Sequence, residues 1–421
     1  MVEGKQSQLV ILCAVVVAFL LYSKIVPLPE SSFVPAVDEK QIHLVSGKVV
    51  SNPVKSSEKY YSVKIDVDYA QARDKSVFFS SGIATVLMET SLVEALYPDR
   101  LYSRIEKKTS HAYLIERGAK IKFNLNYIKT DEKVFLICTD LISCSFDENF
   151  SGRFERMRAL CRIQFKRLMS AWGKAGGLVL ALLSGSKEYL DQSMNTLFKM
   201  SGLSHILALS GMHLSIISGF TGLFVSKSLL KKLWTVMQLI LIFIFVWFAG
   251  LSASLLRALI SCVILTLCKL FNIRERSGIY VLCLTFLVHV AVRAQDVFAV
   301  SFLLSYGALC GIILISPALN KIFSGFVPDR ICSSLTSSVG AVSFTAPVSL
   351  RLFGFISPAG IVSTMFVSPL ITAFLYLSIV FMGLSFIFPF SVKIAAFVMN
   401  FIYEVIKSVV SFWNFIPVIQ F

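Results

Sequence analysis

The sequence predicts an α-helical polytopic membrane protein of about eight to ten spans that carries one small, inserted, all-β OB-like soluble domain. Three observations predict it. Hydrophobic residues make up 56% of the 421 and charged residues only 15%, more apolar surface than a water-soluble fold can bury. The apolar residues are unevenly placed: residues 28–152 have the composition of an ordinary soluble domain, whereas nearly everything after residue 175 is hydrophobic. Within that soluble stretch the apolar residues alternate in short runs, which is the period of strands.

Residues 1–27 read as an N-terminal transmembrane helix, because residues 6–23 are free of charge between Lys5 and Lys24. The strongly charged start and small-residue cleavage site of a signal peptide are poorly represented, which favours an uncleaved anchor. Pro27, Pro29 and Pro35, with Ser31 and Ser32, form a breaker-rich linker into the domain at 28–152. The runs His43 to Val50, Tyr60 to Tyr69, Ser76 to Met88, Ala119 to Ile128 and Lys133 to Ile142 are rich in Val, Ile, Tyr and Phe. Asn-Pro, Arg-Asp-Lys and Thr-Asp-Glu turns separate them, so a barrel of about five strands is expected. Tyr60, Tyr61, Tyr69, Phe78, Phe79, Phe123 and Tyr127 are candidate stacking platforms for single-stranded bases. The domain carries 16 Lys and Arg against 17 Asp and Glu, however, so core packing is the default role for these rings.

Residues 153–174 read as a basic amphipathic helix. Phe154, Met157, Cys161, Phe165 and Leu168 share one face at spacings of three and four. Arg156, Arg158, Arg162, Lys166 and Arg167 take the rest, which suggests a helix in the membrane interface with its basic side toward lipid headgroups. The polytopic domain, 175–421, shows apolar spans at 175–184, 204–226, 233–249, 252–268, 278–292, 297–316, 331–349, 358–388 and 391–418. The first is short, and a turn is expected near Gly250 and Ser252. Lys227, Lys231, Lys232, Lys269, Arg274 and Arg276 crowd two adjacent loops, so the pair 233–249 and 252–268 is either a hairpin across the bilayer or includes a re-entrant segment.

The formal charge of +15 resides outside the soluble domain, since residues 153–174 carry 7 basic against 1 acidic residue and residues 175–421 carry 15 against 6. Positive-inside topology with anionic lipid accounts for that excess, and so does a basic lining that follows a polyanion. Nine cysteines include no Cys-x-x-Cys and no Cys/His pairing with metal-ligand spacing. Cys138 and Cys144 would lie too far apart along one strand to pair without a turn.

The most informative run is Ser204 to Ser215, which sets His205, His213, several hydroxyls and Gly211 inside a segment apolar enough for a bilayer. On an unbroken helix the two histidines would share a quadrant; Gly211 makes a break between them plausible. Arg257 is the single charge between 233 and 268, and an intramembrane arginine reads as functional unless it snorkels from a nearby turn. His205 and His213 lack the further ligands of a metal site. Ser210 with His213 as base is an enzyme alternative that lacks an acidic orienter. His289, four residues before Arg293, reads as a span end. There is no phosphate-binding GxxxxGK[ST] loop, no GxGxxG after a strand and no His-x-His-x-Asp-His cluster, and five histidines do not build a two-metal hydrolase core. No catalytic residue, metal or cofactor is assigned, and neither ATP hydrolysis nor nuclease activity is expected of the chain itself.

His205-Ile-Leu-Ala-Leu-Ser-Gly-Met-His213 resembles the signature His-x-x-Ala-Ile-Ser-Gly-Leu-His of the ComEC/Rec2 family, the inner-membrane channels for transforming DNA. Ser254-Leu-Leu-Arg257-Ala258 is similar to that family's Ser-x-x-Arg-Ala, and Phe302-Leu-Leu-Ser305-Tyr306 to its Phe-Gln-Leu-Ser-Phe, with Leu303 in place of glutamine. Pro347, Phe353-Gly354 and Pro369-Leu370 resemble later landmarks, so the likeness covers about 170–390 in order. Two departures stand out: Gly185-Ser186-Lys187, where an acidic residue often follows the glycine, and Ser363 and Thr364, where members carry a late Asn. The resemblance implies a channel for single-stranded DNA in natural transformation, without the C-terminal metallo-β-lactamase-like domain of many members. His205, Ser210, Gly211, His213 and Arg257 would line or shape its path, with Ser254 and Ser305 as secondary candidates. It also implies a bacterial inner-membrane location, an extracytoplasmic soluble domain, and membrane lipid, a separate nuclease, a DNA receptor, a cytoplasmic DNA-translocating ATPase and a homo-oligomer as partners. A transporter of another anionic or polar solute, an intramembrane enzyme and a non-transporting scaffold are the alternatives.

Overall fold

The computed structural model describes residues 2–23, 42–72, 76–79, 82–95, 113–130, 133–222, 231–271, 277–326, 328–416 and 419–420. The proline-rich linker, His111, Lys227, Arg274 and Arg276 lie outside these residues, as do the side chains of Phe79 and Tyr127. The chain divides into two compact units, one of residues 30–180 and 186–189, the other of residues 1–29, 181–185 and 190–421.

The N-terminal helix α1 (Val2–Tyr22) belongs to the second unit. The first unit is built on five strands: β1 (Ile42–Val49), β2 (Tyr60–Ala72), β3 (Ile83–Glu89), β4 (Lys120–Thr130) and β5 (Lys133–Ser145). Short strands at Val54–Lys55 and Val77–Phe79 flank β2. Antiparallel pairings join β1 to β2, β2 to β3, β4 to β5 and β1 to β4. A parallel pairing of Val86 with Leu136 and Leu87 with Ile137 then joins β3 to β5 and closes the ring. That order, 1-2-3-5-4-1, is OB-like. Alternation drives it: Tyr61, Val63, Ile65 and Val67 of β2 point into the core while Lys64, Asp66 and Asp68 face out. Gly47 sits at an irregularity of β1 where a Cβ would stand 2.3 Å from the Asp66 carbonyl oxygen, so only glycine allows that approach. Cys138 and Cys144 are both free on β5, and burial pushes each thiol up to about 12.

Helix α2 (Phe150–Ala171) follows, capped by the Asn149 side chain, which accepts from Gly152 N–H at 2.8 Å. Its orientation reverses the expected one. Arg158, Arg162, Lys166 and Arg167 are buried at 1–2% exposure, while Phe154, Met157 and Cys161 are exposed and only Phe165 and Leu168 of the apolar set are buried. The reason is acidic partners elsewhere in the unit: Glu116 accepts from Arg162 Nε at 3.2 Å and Lys166 Nζ at 3.1 Å, and Glu188 lies 3.1 Å from Lys166 Nζ. Arg158 Nη2 donates to Asn52 at 2.8 Å and Arg162 Nη2 to Ser186 at 3.0 Å. Buried charges persist only when paired and hydrogen-bonded, and here the pairing holds α2 on its own unit. The buried apolar helix α3 (Gly173–Ser184) comes next.

In the second unit the chain forms α4 (Gln192–Met200), α5 (Ser204–Leu207), α6 (Gly211–Gly222), α7 (Lys231–Ala249), α8 (Ala253–Leu270) and α9 (Gly278–Arg293). It continues as α10 (Val300–Leu314), α11 (Ser316–Phe323), α12 (Asp329–Phe353), α13 (Ala359–Ile387) and α14 (Ser391–Trp413). Gly250, at φ 96°, makes the expected break between α7 and α8, and Gly354, at φ 73°, ends α12. Among the described residues five helices (α8, α9 with its extension, α12, α13 and α14) are long and apolar enough to cross a bilayer, six if bent α10–α11 is one span. Three shorter apolar helices, Gln8–Tyr22, α3 and Leu233–Ala249, complete the apolar set among the described residues. Helix α14 shows which solvent surrounds them. It buries Ala395, Met399, Tyr403, Ile406 and Val410 and turns Phe397, Phe401 and Phe412 outward, rings that lipid contact favours. The chain is a multi-pass membrane protein.

Candidate functional site

The predicted break falls at residues 208–210, immediately before Gly211. Ala208 is extended at φ −83° and ψ 136°, so α5 stops and α6 starts afresh. His213 N–H donates to the Ser210 carbonyl at 3.1 Å, and Ser210 N–H donates back to His213 Nδ1 at 3.2 Å. This is half of a capping box with an imidazole where a Glu carboxylate is usual. Because Nδ1 accepts, the ring proton lies on Nε2, which is buried and has no hydrogen-bond partner among the described residues. The Ser210 hydroxyl is 3.4 Å from the same Nδ1. That nitrogen is shared between the hydroxyl and a main-chain N–H, and among the described residues no carboxylate meets Nε2.

Arg257 lies one turn into α8, whose N-cap Ser252 accepts from Leu255 N–H at 3.2 Å. Its Nε donates to Ser305 Oγ of α10 at 2.8 Å, and Ser305 Oγ is 3.0 Å from Ser254 Oγ. On its other side the guanidinium meets α6, for a methyl group on Gly211 would stand 3.1 Å from Arg257 Nη2. Ser210, Gly211, His213, Ser254, Arg257 and Ser305, drawn from three separate sequence segments, thus converge on one locus. His205 does not join them: it is exposed, and its Nδ1 is 3.2 Å from the Gly202 carbonyl oxygen.

The electrostatics of this locus are unbalanced. Arg257 is half-buried and has no acidic partner among the described residues, and it sits at the first residue of α6, the positive end of that helix dipole. Two positive ends face each other, an arrangement that an anion between them would relieve. No group of three or more His, Cys, Asp or Glu capable of holding a metal occurs among the described residues.

Residues that the sequence reading did not assign extend the locus. His289, one turn before the end of α9, is fully buried, with Nδ1 3.2 Å from Tyr306 Oη and Nε2 3.3 Å from Asp296 Oδ2. The signal was an acid seven residues after a histidine in an apolar segment, close to two helical turns. The short 3₁₀ turn Ala294–Phe298 that carries Asp296 hid it. In the soluble unit, Tyr61 and Phe123 are core residues, and Tyr60, Tyr69 and Phe78 are half-buried. The outer face of β2 and β3 carries Asp66, Asp68 and Glu89 against Lys64, which gives a nucleic-acid backbone no cationic track there.

The competence protein family model matches residues 182–421, more than half of the chain. The chain belongs to this family. Among competence-family relatives, ComE operon protein 3 of Bacillus subtilis (strain 168) is 24% identical over 190 residues, 44% of this chain and 24% of that protein. An uncharacterised protein of Aquifex aeolicus (strain VF5) is 28% identical over 358 residues, 84% of this chain and 78% of that protein. The chain thus matches about a quarter of the length of the Bacillus relative. No solved structure matches. The matched region contains the whole locus around Arg257, and the barrel lies N-terminal to it.

Proposed function

We propose that this protein is an inner-membrane channel that takes up single-stranded DNA, with its barrel domain on the extracytoplasmic side. Membership of the competence family supports a role in DNA uptake, and one observation points to the path. Arg257, a cation inside a membrane unit with no acidic partner among the described residues, faces the N-terminus of α6 across Gly211. A phosphodiester passing this point would accept from the guanidinium and from the first N–H groups of α6, replacing water with a few charge-assisted hydrogen bonds. Ser305 and Ser254 orient the guanidinium, His213 shapes the helix start, and weak, repeated contacts of this kind let a strand leave as readily as it enters. His205, on the exposed side of the break, is a further contact with the strand. This role is passage of the strand alone; DNA cleavage, ATP hydrolysis and DNA delivery are not assigned to this locus.

The test is import of fluorescently labelled DNA into cells lacking the gene, complemented at matched membrane levels by wild type, Arg257→Ala or Arg257→Lys. Wild type restores import. Arg257→Ala lowers it about tenfold or more, the effect of losing a charged hydrogen-bonded contact of about 1.5–3 kcal/mol, while Arg257→Lys recovers part of it. Full import by Arg257→Ala overturns the path. Selective uptake of a small anion instead of DNA would move the reading to solute transport.

A further inference from the structure

Arg257 is tied into a circuit of polar contacts that begins and ends on α8 or the turn before it. From Arg257 the circuit passes to Ser305 on α10, whose neighbour Tyr306 meets His289 on α9 at 3.2 Å. His289 meets Asp296 at 3.3 Å, and Asp296 lies 3.6 Å from Arg293 Nη2. Arg293 Nη1 then donates at 3.4 Å to the carbonyl of Leu251, just before the Ser252 cap of α8. Nε2–H donates to the Asp296 carboxylate, and Nδ1 meets the Tyr306 hydroxyl. The rings of Phe286 and Phe302 close around the pair, with His289 and Phe302 centroids 5.0 Å apart and Phe286 and Tyr306 5.8 Å apart. From α1, Tyr22 Oη donates to the Val297 carbonyl at 3.2 Å, fixing the turn that bears Asp296.

Placing a buried imidazole against a half-buried phenol and carboxylate among apolar spans costs free energy that simple helix packing does not require. We propose that Asp296, His289 and Tyr306 are positioning residues that hold the α10 segment bearing Ser305, and through it set the direction of the Arg257 guanidinium toward α6. This rests on Arg257 being the anion contact for its functional meaning, but its geometry can be tested alone. Asp296 fixes the imidazole, the imidazole fixes the phenol, and the phenol fixes the register of α10 at the residue next to Ser305.

The experiment uses the full chain in lipid nanodiscs and phenylglyoxal, a guanidinium reagent. Modification of Arg257 is read by peptide mass spectrometry, with exposed Arg351 as internal control. Tyr306→Phe removes one hydroxyl, and His289→Phe keeps a ring against Phe302 while cutting both hydrogen bonds. Asp296→Asn keeps an acceptor for Nε2–H and serves as the conservative variant. In Tyr306→Phe and His289→Phe the Arg257 rate changes by about threefold to tenfold with Arg351 unchanged, and Asp296→Asn stays nearer wild type. An Arg257 rate equal to wild type in both phenylalanine variants overturns the proposal. Tyr306→Phe leaves packing intact, so it decides the matter if His289→Phe does not fold. DNA import by the same variants separates the two claims: altered Arg257 reactivity with no dependence of import on Arg257 retains the positioning chain and removes the DNA reading.

Discussion

At the scale of single residues, Gly211 is the tightest constraint on the site. Its backbone is ordinary, so what glycine supplies is room: an added methyl would stand 3.1 Å from Arg257 Nη2 and 3.4 Å from Ala258 Cβ. Gly211→Ala therefore makes the guanidinium give way by a few tenths of an ångström, and DNA import falls. Gly383→Ala, where nothing lies within 4 Å of the new methyl, is the matched control and leaves import unchanged. Ser210→Ala separates the channel from a hydrolase. Its main-chain N–H still meets His213, so import persists, whereas a nucleophilic serine would make the substitution abolish turnover. Arg257 and the serine–glycine turn were legible in the sequence because a charge and hydroxyls stand out in apolar spans. Ser305 as the partner of Arg257 was only a secondary candidate, because the two are 48 residues apart and no periodicity links them.

At the scale of elements, α2 shows what pattern alone cannot decide. Its basic stripe was plain in the sequence, but such a stripe faces headgroups or buried carboxylates according to a residue far along the chain, here Glu116, 46 positions from Arg162 and 50 from Lys166. The pairing sets a pH dependence. Burial pushes the Glu116 carboxyl up, but Lys166 and Arg162 outweigh it and hold it below the usual range. Its contribution to stability is complete above the ordinary carboxylate value and is lost as pH falls through the depressed one. Glu188 moves the other way: burial raises it, so the folded state takes up its proton early and gains stability on mild acidification. Thermal unfolding of the full chain in detergent should show a shallow gain below neutral pH that is absent in Glu188→Gln. A loss at lower pH follows, with Glu116 as one of its sources. Glu116→Ala leaves Arg162 and Lys166 without their shared buried acid and costs about 3–5 kcal/mol at neutral pH. The crossing of α10 and α12 is as exacting, since a Cβ at Gly311 would stand 2.0 Å from the Gly340 carbonyl oxygen. Gly311→Leu should force these helices apart and lower the yield of folded protein, measured by size-exclusion chromatography of the solubilised chain.

At the scale of the whole molecule, the two solvents implied by composition are the two units of the fold. Hydropathy summed over a span is robust to single residues, so the helices of the second unit fall close to the apolar runs, with discrepancies at glycine and proline boundaries. The closed barrel was legible for the opposite reason, since alternate residues must reverse polarity along every strand. Lipid contact yields a prediction at this scale. Phe401 is 68% exposed on α14, and Phe401→Lys should oppose insertion by about 2.5–3.5 kcal/mol toward the bilayer centre, seen as loss from the membrane fraction. Tyr403→Phe, two residues away on the buried face, should not.

The parallel seam between β3 and β5 has a consequence for how the soluble domain can vary among relatives. With the last pair joined, the five main strands close on one another, and among the described residues only the short flanking strands Val54–Lys55 and Val77–Phe79 pair on one side, so a partner of the barrel wall reads side chains and connecting loops rather than extending the main sheet. A residue gained or lost inside a strand shifts the side chains beyond it to the wrong face unless a bulge absorbs it, as at the register shifts between β1 and β2 and between β4 and β5. Differences in length between this domain and those of its relatives are therefore expected in the connections, such as residues 50–59 between β1 and β2 and the segment between β3 and β4, while the strands keep their number and phase.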